Sequence, residues 1–283
     1  MTLADGTSAV HVQGLSKSYG RLQAVRDLDL DVGYGEVFAI LGPNGAGKST
    51  TIEILEGNRQ RDSGHVRVLG EDPATAGRDW RARVGIVLQE ASDAGMLTVL
   101  ETVRMFTNCY GNARHPRDVL ELVGLDAVSG SRVRTLSGGQ RRRLDVALGI
   151  IGKPELLFLD EPTTGFDPEA RRQFWDLIRL LAADGTTILL TTHYLEEAAA
   201  LADRVAVIAG GKVVAVDSPT RLTGHVSSGA TVRWVEGGHV HVEQTDHPTE
   251  LVRRRSTDGA ELPELTITRP TLEDAYLHLI GQA

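Results

Sequence analysis

Two glycine-rich stretches carry the chemistry in this sequence, GPNGAGKST at 42–50 and LSGGQ at 136–140. The first fits G-x-x-x-x-G-K-[ST] with Gly42, Gly47, Lys48 and Ser49, after the strand-like EVFAIL and before the helix-forming TIEILEG. Glycines let backbone N–H groups curl around phosphate oxygens without Cβ clashes, and the helix that follows adds partial positive charge at its N-terminus. Lys48 is placed to bridge the outer phosphates of a nucleotide, and Ser49 to bind magnesium. LSGGQ also runs into a helix-compatible segment, which raises the question of why one chain needs two phosphate cradles.

A pair of carboxylates adds a reaction to the binding. ELLFLDEP at 155–162 is an apolar strand ending in Asp160 and Glu161. Ligands of open α/β sheets bind at the carboxyl edge of the strands, so Asp160 is expected beside the phosphate loop and within reach of the magnesium shell. Glu161, one residue later, points elsewhere and is the candidate to polarise a water against the terminal phosphate. That second carboxylate favours a hydrolase over a simple nucleotide binder.

These residues require elements to hold them. Short β-rich runs, EVFAIL, VGIVL at 84–88, ELLFLD, TTILLTT at 186–192 and RVAVIA at 204–209, alternate with helical patterns. The alternation predicts a mainly parallel sheet with crossover helices. VHVQGL, residues 28–32 and HVRVLG at 65–70 are joined by turns instead, which predicts a flanking antiparallel element. Residues from about 91 to 153 show helical periodicity and no strong strand pattern, and read as a helical insertion. Gly210 and Gly211 form a hairpin turn, and SPTRL starts a helix with Ser218 as N-cap and Pro219 first inside. The fold class is therefore α/β, a P-loop NTPase core over 1–222, with a small α+β appendage at 223–283 that ends in the amphipathic TRPTLEDAYLHLIG.

Composition narrows the setting. The 283 residues are 41% hydrophobic, enough for a large core. With 38 acidic and 30 basic residues the net charge is −8, which argues against a broad nucleic-acid footprint. The basic runs at 141–143 and 253–255 read as solvated faces. The single cysteine, Cys109, reads as a small buried residue in a reducing compartment. His239, His241 and His247 lack carboxylate or cysteine partners at ligand spacing and read as surface strand residues. MTLADGTSAVHV has neither a basic nor an apolar run, so no secretory signal is expected, and no apolar segment is long enough to span a bilayer.

With phosphate loop and carboxylates in place, the order of the motifs resembles the nucleotide-binding subunit of ATP-binding-cassette transporters over about residues 8–222. LSGGQ matches that family's signature without a substitution. Further markers fall in order: Tyr19 in KSYG, Gln89 in VLQE, Asp167 in TTGFDP and His193 in LTTHY. The resemblance implies ATP and Mg2+ as ligands. It implies that Gly42, Asn44, Gly45, Gly47, Lys48, Ser49 and Thr50 hold the phosphates, that Tyr19 stacks on adenine, and that Ser49, Gln89 and Asp160 surround the metal. Glu161, His193 and Gln89 become the catalytic residues, Gln89 touching the attacking water and His193 the γ-phosphate. It also answers the opening question: two copies pair head to tail, and Ser137, Gly138, Gly139 and Gln140 of each close on ATP held by the other, with Asp167 at the same interface. Phe166 stands where the family more often has leucine.

The same resemblance implies partners and a place. The helical insertion would dock on a multi-span membrane permease, with the chain peripheral at the cytoplasmic face of the cell membrane and no nucleic acid involved. LTVLETVRMFTNCYG is similar to the segment after the Gln loop in bacterial multidrug, lipid or polysaccharide exporters. LEEAAALADRVAVIAGGKVVAVDSP and RPTLEDAYLHLIG are similar to drug-resistance-type export ATPases. The alternative is a soluble relative acting on a cofactor-assembly or nucleic-acid complex.

Overall fold

The computed structural model describes residues 8–87, 95–224, 229–256 and 261–281. The chain opens with two long strands, β1 (Ser8–Tyr19) and β2 (Leu22–Gly33), paired antiparallel. They are longer than the alternating segments in the sequence suggest, because register shifts with Gly14 at φ 63° and Asp27 at φ 47° let the ladder continue past its irregularities. The core strand β3 (Val37–Leu41) leads into α1 (Lys48–Leu55). The next strand, β4 (Ser63–Val68), returns to β1 and completes a sheet of order β2-β1-β4.

After α2 (Arg78–Ala82) and β5 (Val84–Val87) come the helices α3 (Val99–Thr107), α4 (Pro116–Leu122) and α5 (Gly138–Ile150). Short 3-10 turns at Asp126–Val128 and Val133–Thr135 join the last two. Among the described residues of 95–153 there is no strand, as the periodicity predicts. The core then resumes as β6 (Leu156–Asp160), α6 (Pro168–Ala183), β7 (Thr187–Thr191), α7 (Leu195–Leu201), β8 (Arg204–Ala209) and β9 (Lys212–Asp217).

Six strands form the central sheet in the order β5-β6-β7-β3-β8-β9. Every pairing from β5 to β8 is parallel. VFAIL and TILLT are buried along their whole length, the mark of strands covered on both faces. Gly210 and Gly211 turn β8 into β9 with both φ positive, as a two-residue hairpin requires. The antiparallel sheet shares the core: Val10, Val12 and Leu28 pack in one cluster with Phe38, Phe158 and Ile208. Trp80 closes it and donates its indole N–H to the Val68 carbonyl at 2.8 Å.

The chain divides into two units, Met1–Val216 and Asp217–Ala283. The second holds α8 (Pro219–Gly224), β10 (Ala230–Glu236), β11 (His239–Thr245), α9 (Pro248–Arg255), β12 (Thr266–Thr268) and α10 (Leu272–Gly281). Its antiparallel sheet runs β11-β10-β12, with Val232 and Trp234 packed on Leu251 of α9. Ser218 Oγ accepts from Arg221 N at 3.4 Å, the cap expected for α8. Cys109 corrects its sequence reading: it is exposed just beyond the end of α3, where its turn faces solvent, and not in the core.

Candidate functional site

The first glycine-rich loop spans the gap between β3 and α1. Packing demands Gly42, since a Cβ there would lie 2.3 Å from the Ile208 carbonyl. Gly47 has φ 103°, and its Cβ would lie 2.4 Å from the Ala24 carbonyl. Gly47 is also the N-cap of α1, and no side chain caps that helix, so its first amides are left to a ligand. Lys48 is buried, and its Nζ donates to the carbonyls of Gly42 at 2.7 Å and Pro43 at 3.2 Å. Burial pulls its pKa down, while Glu161 and Asp160 push it back up, so both carboxylates act on the loop's lysine. Asn44, Gly45 and Ser49 are exposed on this surface and Thr50 is half-buried.

The ends of β6 and β7 bring in the acids. Asp160 pairs with Thr191 across the two strands, and Thr191 in turn lies beside Ile40 of β3. Thr191 Oγ1 donates to Asp160 Oδ1. Glu161 turns away through a φ of 43°, a left-handed conformation unusual for a side chain other than glycine, asparagine or aspartate. Its N–H is held by the Thr191 carbonyl and hydroxyl, each at 3.1 Å. Glu161 Oε2 lies 3.3 Å from His193 Nδ1 and accepts from Thr164 Oγ1 at 3.4 Å. The candidate base and the candidate γ-phosphate donor are thus direct neighbours. The His193 ring is tilted 39° to Tyr194 with centroids 4.1 Å apart, and the Arg171 guanidinium lies 4.3 Å from the Tyr194 ring.

LSGGQ is built differently. Ser137 caps α5, accepting from Gln140 N at 3.2 Å, while Gln140 Oε1 accepts from Ser137 N at 3.0 Å. This capping box satisfies the helix start from within the chain. Ser137 and Gly138 are exposed, and a Cβ at Gly138 would meet nothing within 4 Å. A Cβ at Gly139 would meet only the Ala170 Cβ, at 3.9 Å, so this end of α5 lies beside the start of α6. There Asp167 is the N-cap, accepting from Ala170 N at 2.8 Å. Phe166 fills the site beneath, edge-on to Phe174 at 5.7 Å. Among the described residues no hydrogen bond joins 137–140 to the phosphate loop.

Tyr19 ends β1 and is 41% exposed. The Arg59 guanidinium is 5.3 Å and Lys17 Nζ 5.8 Å from the ring centroid. Gln89 lies outside the described residues.

Three residues of the site were not read from the sequence. Thr191 bonds the Asp160 carboxylate and the Glu161 N–H. Glu197 is fully buried, accepts from Trp175 Nε1 at 3.2 Å, and has its pKa raised by that burial. Arg142 corrects the reading of 141–143 as a solvated face: it is buried, donating to the carbonyls of Pro162 at 3.1 Å and Asp160 at 2.7 Å. The signal was available, because Arg142 lies on the same helical face as Val146 and Gly149, both at core spacing.

Fold and site together define a phosphate-loop nucleotide hydrolase. The family model described as "ABC transporter" matches residues 25–164. A daunorubicin/doxorubicin resistance ATP-binding protein of Streptomyces peucetius is 45% identical, covering 78% of this chain and 69% of its own. A Nod factor export ATP-binding protein I of Ralstonia nicotianae is 41% identical over 98% of this chain and 95% of its own. Among solved structures, an ATP-binding subunit of an ABC transporter superposes with TM-score 0.72 at 23% identity, over 96% of this chain and 99% of that one. A dimeric cassette bound to ADP and Pi gives 0.67 at 24% identity, over 74% and 98%. The chain belongs to the ATP-binding-cassette family and is an ATP hydrolase of it.

Proposed function

We propose that this chain is the ATP-hydrolysing subunit of a membrane exporter, driven by head-to-tail pairing of two copies around ATP. One observation carries the pairing. A Cβ at Gly138, the first residue of α5, would meet nothing within 4 Å, so the exposed start of LSGGQ leaves room for a group from outside the chain. A γ-phosphate bound to another copy fits that space at the helix N-terminus. At Gly42 and Gly47, by contrast, the chain's own backbone demands glycine.

Each composite site then has the phosphate loop, Gly42 to Thr50, of one copy and Ser137, Gly138, Gly139, Gln140 and Asp167 of the other. The Tyr19 ring offers its exposed face to adenine. The hydroxyl of the exposed Ser49 and the Asp160 carboxylate are hard oxygen donors that fit magnesium, with Gln89 as a third, and would hold an ion that supplies positive charge to the outer phosphate oxygens. Glu161 takes a proton from the attacking water. The contact between its Oε2 and His193 Nδ1 aims the carboxylate and leaves His193 Nε2 for the γ-phosphate. Loss of the γ-phosphate removes the contacts to the second copy's LSGGQ, and the dimer opens.

The export reading rests on relatives whose names describe drug resistance and Nod factor export. No described helix is long and apolar enough to cross a membrane, so a multi-span permease would supply the path and select a drug, lipid or polysaccharide cargo. The helical subdomain is the part assigned to that partner. A cavity of about 430 Å³ beside it is lined by Glu56, Trp80, Ile86, Phe106 and Tyr110. Attachment would place the chain at the cytoplasmic face. Co-expression with a candidate permease tests this: sedimentation with membranes only when the permease is present is expected, and a permanently free chain with unaltered ATPase activity would contradict it.

A further inference from the structure

Arg142 joins the helix of the second glycine-rich stretch to the turn that carries Glu161. It is buried in the first two turns of α5, the helix whose N-terminus is Ser137–Gly139. Its Nε donates to the Pro162 carbonyl and its Nη2 to the Asp160 carbonyl. Those are the two carbonyls on either side of Glu161. The glutamate between them has a left-handed φ of 43° and precedes a proline, a conformation that its own sequence disfavours and its surroundings must hold. Thr191 holds the Glu161 N–H from β7, and Arg142 holds the flanking carbonyls from α5. Asp145, Asp160 and Glu197 supply opposing charge around the guanidinium. A planar fork with several fixed donors suits such a clamp, and a lysine would supply only one flexible point.

We propose that Arg142 is a positioning residue that carries closure of α5 on the second copy's ATP into the placement of this chain's own Glu161. The proposal rests on the composite-site reading above. In that reading the N-terminus of α5 meets a γ-phosphate bound to the other copy, while Glu161 works on the γ-phosphate bound to its own. A helix moves as a rod over so short a length. A shift of its first turn therefore moves Arg142, and with it the carbonyls of Asp160 and Pro162, the residues that flank Glu161. Attack by water is sensitive to misplacement of the base by about 1 Å. Hydrolysis at each site would then wait for engagement of α5 at the other.

The test compares Arg142→Gln and Arg142→Lys with wild type in steady-state ATP hydrolysis. It also compares Glu161→Gln with Glu161→Gln/Arg142→Gln in ATP-dependent dimer mass by light scattering. The expected result is a fall in kcat of ~10–100-fold for Arg142→Gln, with KM within about twofold, the dimer retained, and Arg142→Lys between the two. Unchanged kcat overturns the proposal. Loss of the dimer together with hydrolysis in the Arg142→Gln proteins also overturns it, because the arginine then holds α5 itself and does not relay to Glu161. Absence of a dimer in Glu161→Gln with Arg142 intact is a different failure: it removes the composite site, and the relay with it.

Discussion

Two helices of this chain begin at glycine-rich turns, and their N-termini are finished in opposite ways. The α1 helix starts from a left-handed Gly47, has no side-chain cap, and is locked in place by glycines that backbone carbonyls crowd to 2.3–2.4 Å. The α5 helix starts from an extended Ser137, carries a complete capping box, and presents Gly138 to open space. One end is incomplete without an anion and is shaped by its own chain. The other is complete as it stands, and its glycine answers to nothing inside the chain. Crowding explains the glycines of the first end, whereas the open space at Gly138 leaves room for a group from outside the chain.

Substitutions at the two ends sharpen the contrast most. Ser137→Arg should leave ATP affinity unaltered while hydrolysis falls ~100-fold or more, as for removal of oriented donors at a developing charge. Lys48→Ala should instead weaken ATP binding itself by ~10–100-fold, the loss of a charge-assisted contact. Equilibrium binding of a non-hydrolysable ATP analogue beside ATPase assays separates the two. Equal loss of binding in both variants would mean that both loops serve one nucleotide in one chain.

Alanine at the glycines is a finer probe. Gly42→Ala drives a methyl into the Ile208 carbonyl and should cost about 1–3 kcal/mol in urea unfolding. Gly138→Ala should leave stability unchanged or raise it by about 0.5 kcal/mol, yet slow hydrolysis. A destabilised Gly138→Ala protein would show an internal role for that glycine.

Much of this contrast was legible in the sequence, because phosphate chemistry needs particular residues at fixed spacing. The fully apolar strands were legible too, since burial on both faces leaves no alternation to misread. Arg142 was not, because three consecutive arginines look solvated until the helix phase shows that the middle one faces inward. Glu161's left-handed backbone and its contact with His193 were also hidden. They arise from β6 and β7 lying side by side, with Asp160 opposite Thr191, which local spacing does not encode. Cys109 failed as a core residue because its position just past the end of α3, and not its type, decides its exposure.

An effect on stability alone is expected at the far end of α1. Burial raises Glu56 to about 7, opposed by the hydrogen bond from Asn58 and reinforced by Asp160 and Glu53. A folded chain then keeps a proton that the unfolded chain releases near its ordinary value of 4.5. This group's contribution to stability is full below that value and falls as pH rises to about 7. Glu56→Gln should therefore gain on the order of 2 kcal/mol over wild type in urea unfolding at pH 8, and essentially nothing at pH 4.5. A gain independent of pH would place its cause elsewhere.

On the proposed reading, the second glycine-rich end belongs to another chain's nucleotide. Glu161→Gln should keep ATP binding and lose turnover by ~100-fold or more, so it holds the closed state long enough to weigh. Light scattering of that variant with Mg-ATP should show the mass rise from one chain to two, and fall back when ADP replaces ATP. A mass of one chain with ATP bound at saturation would contradict the account.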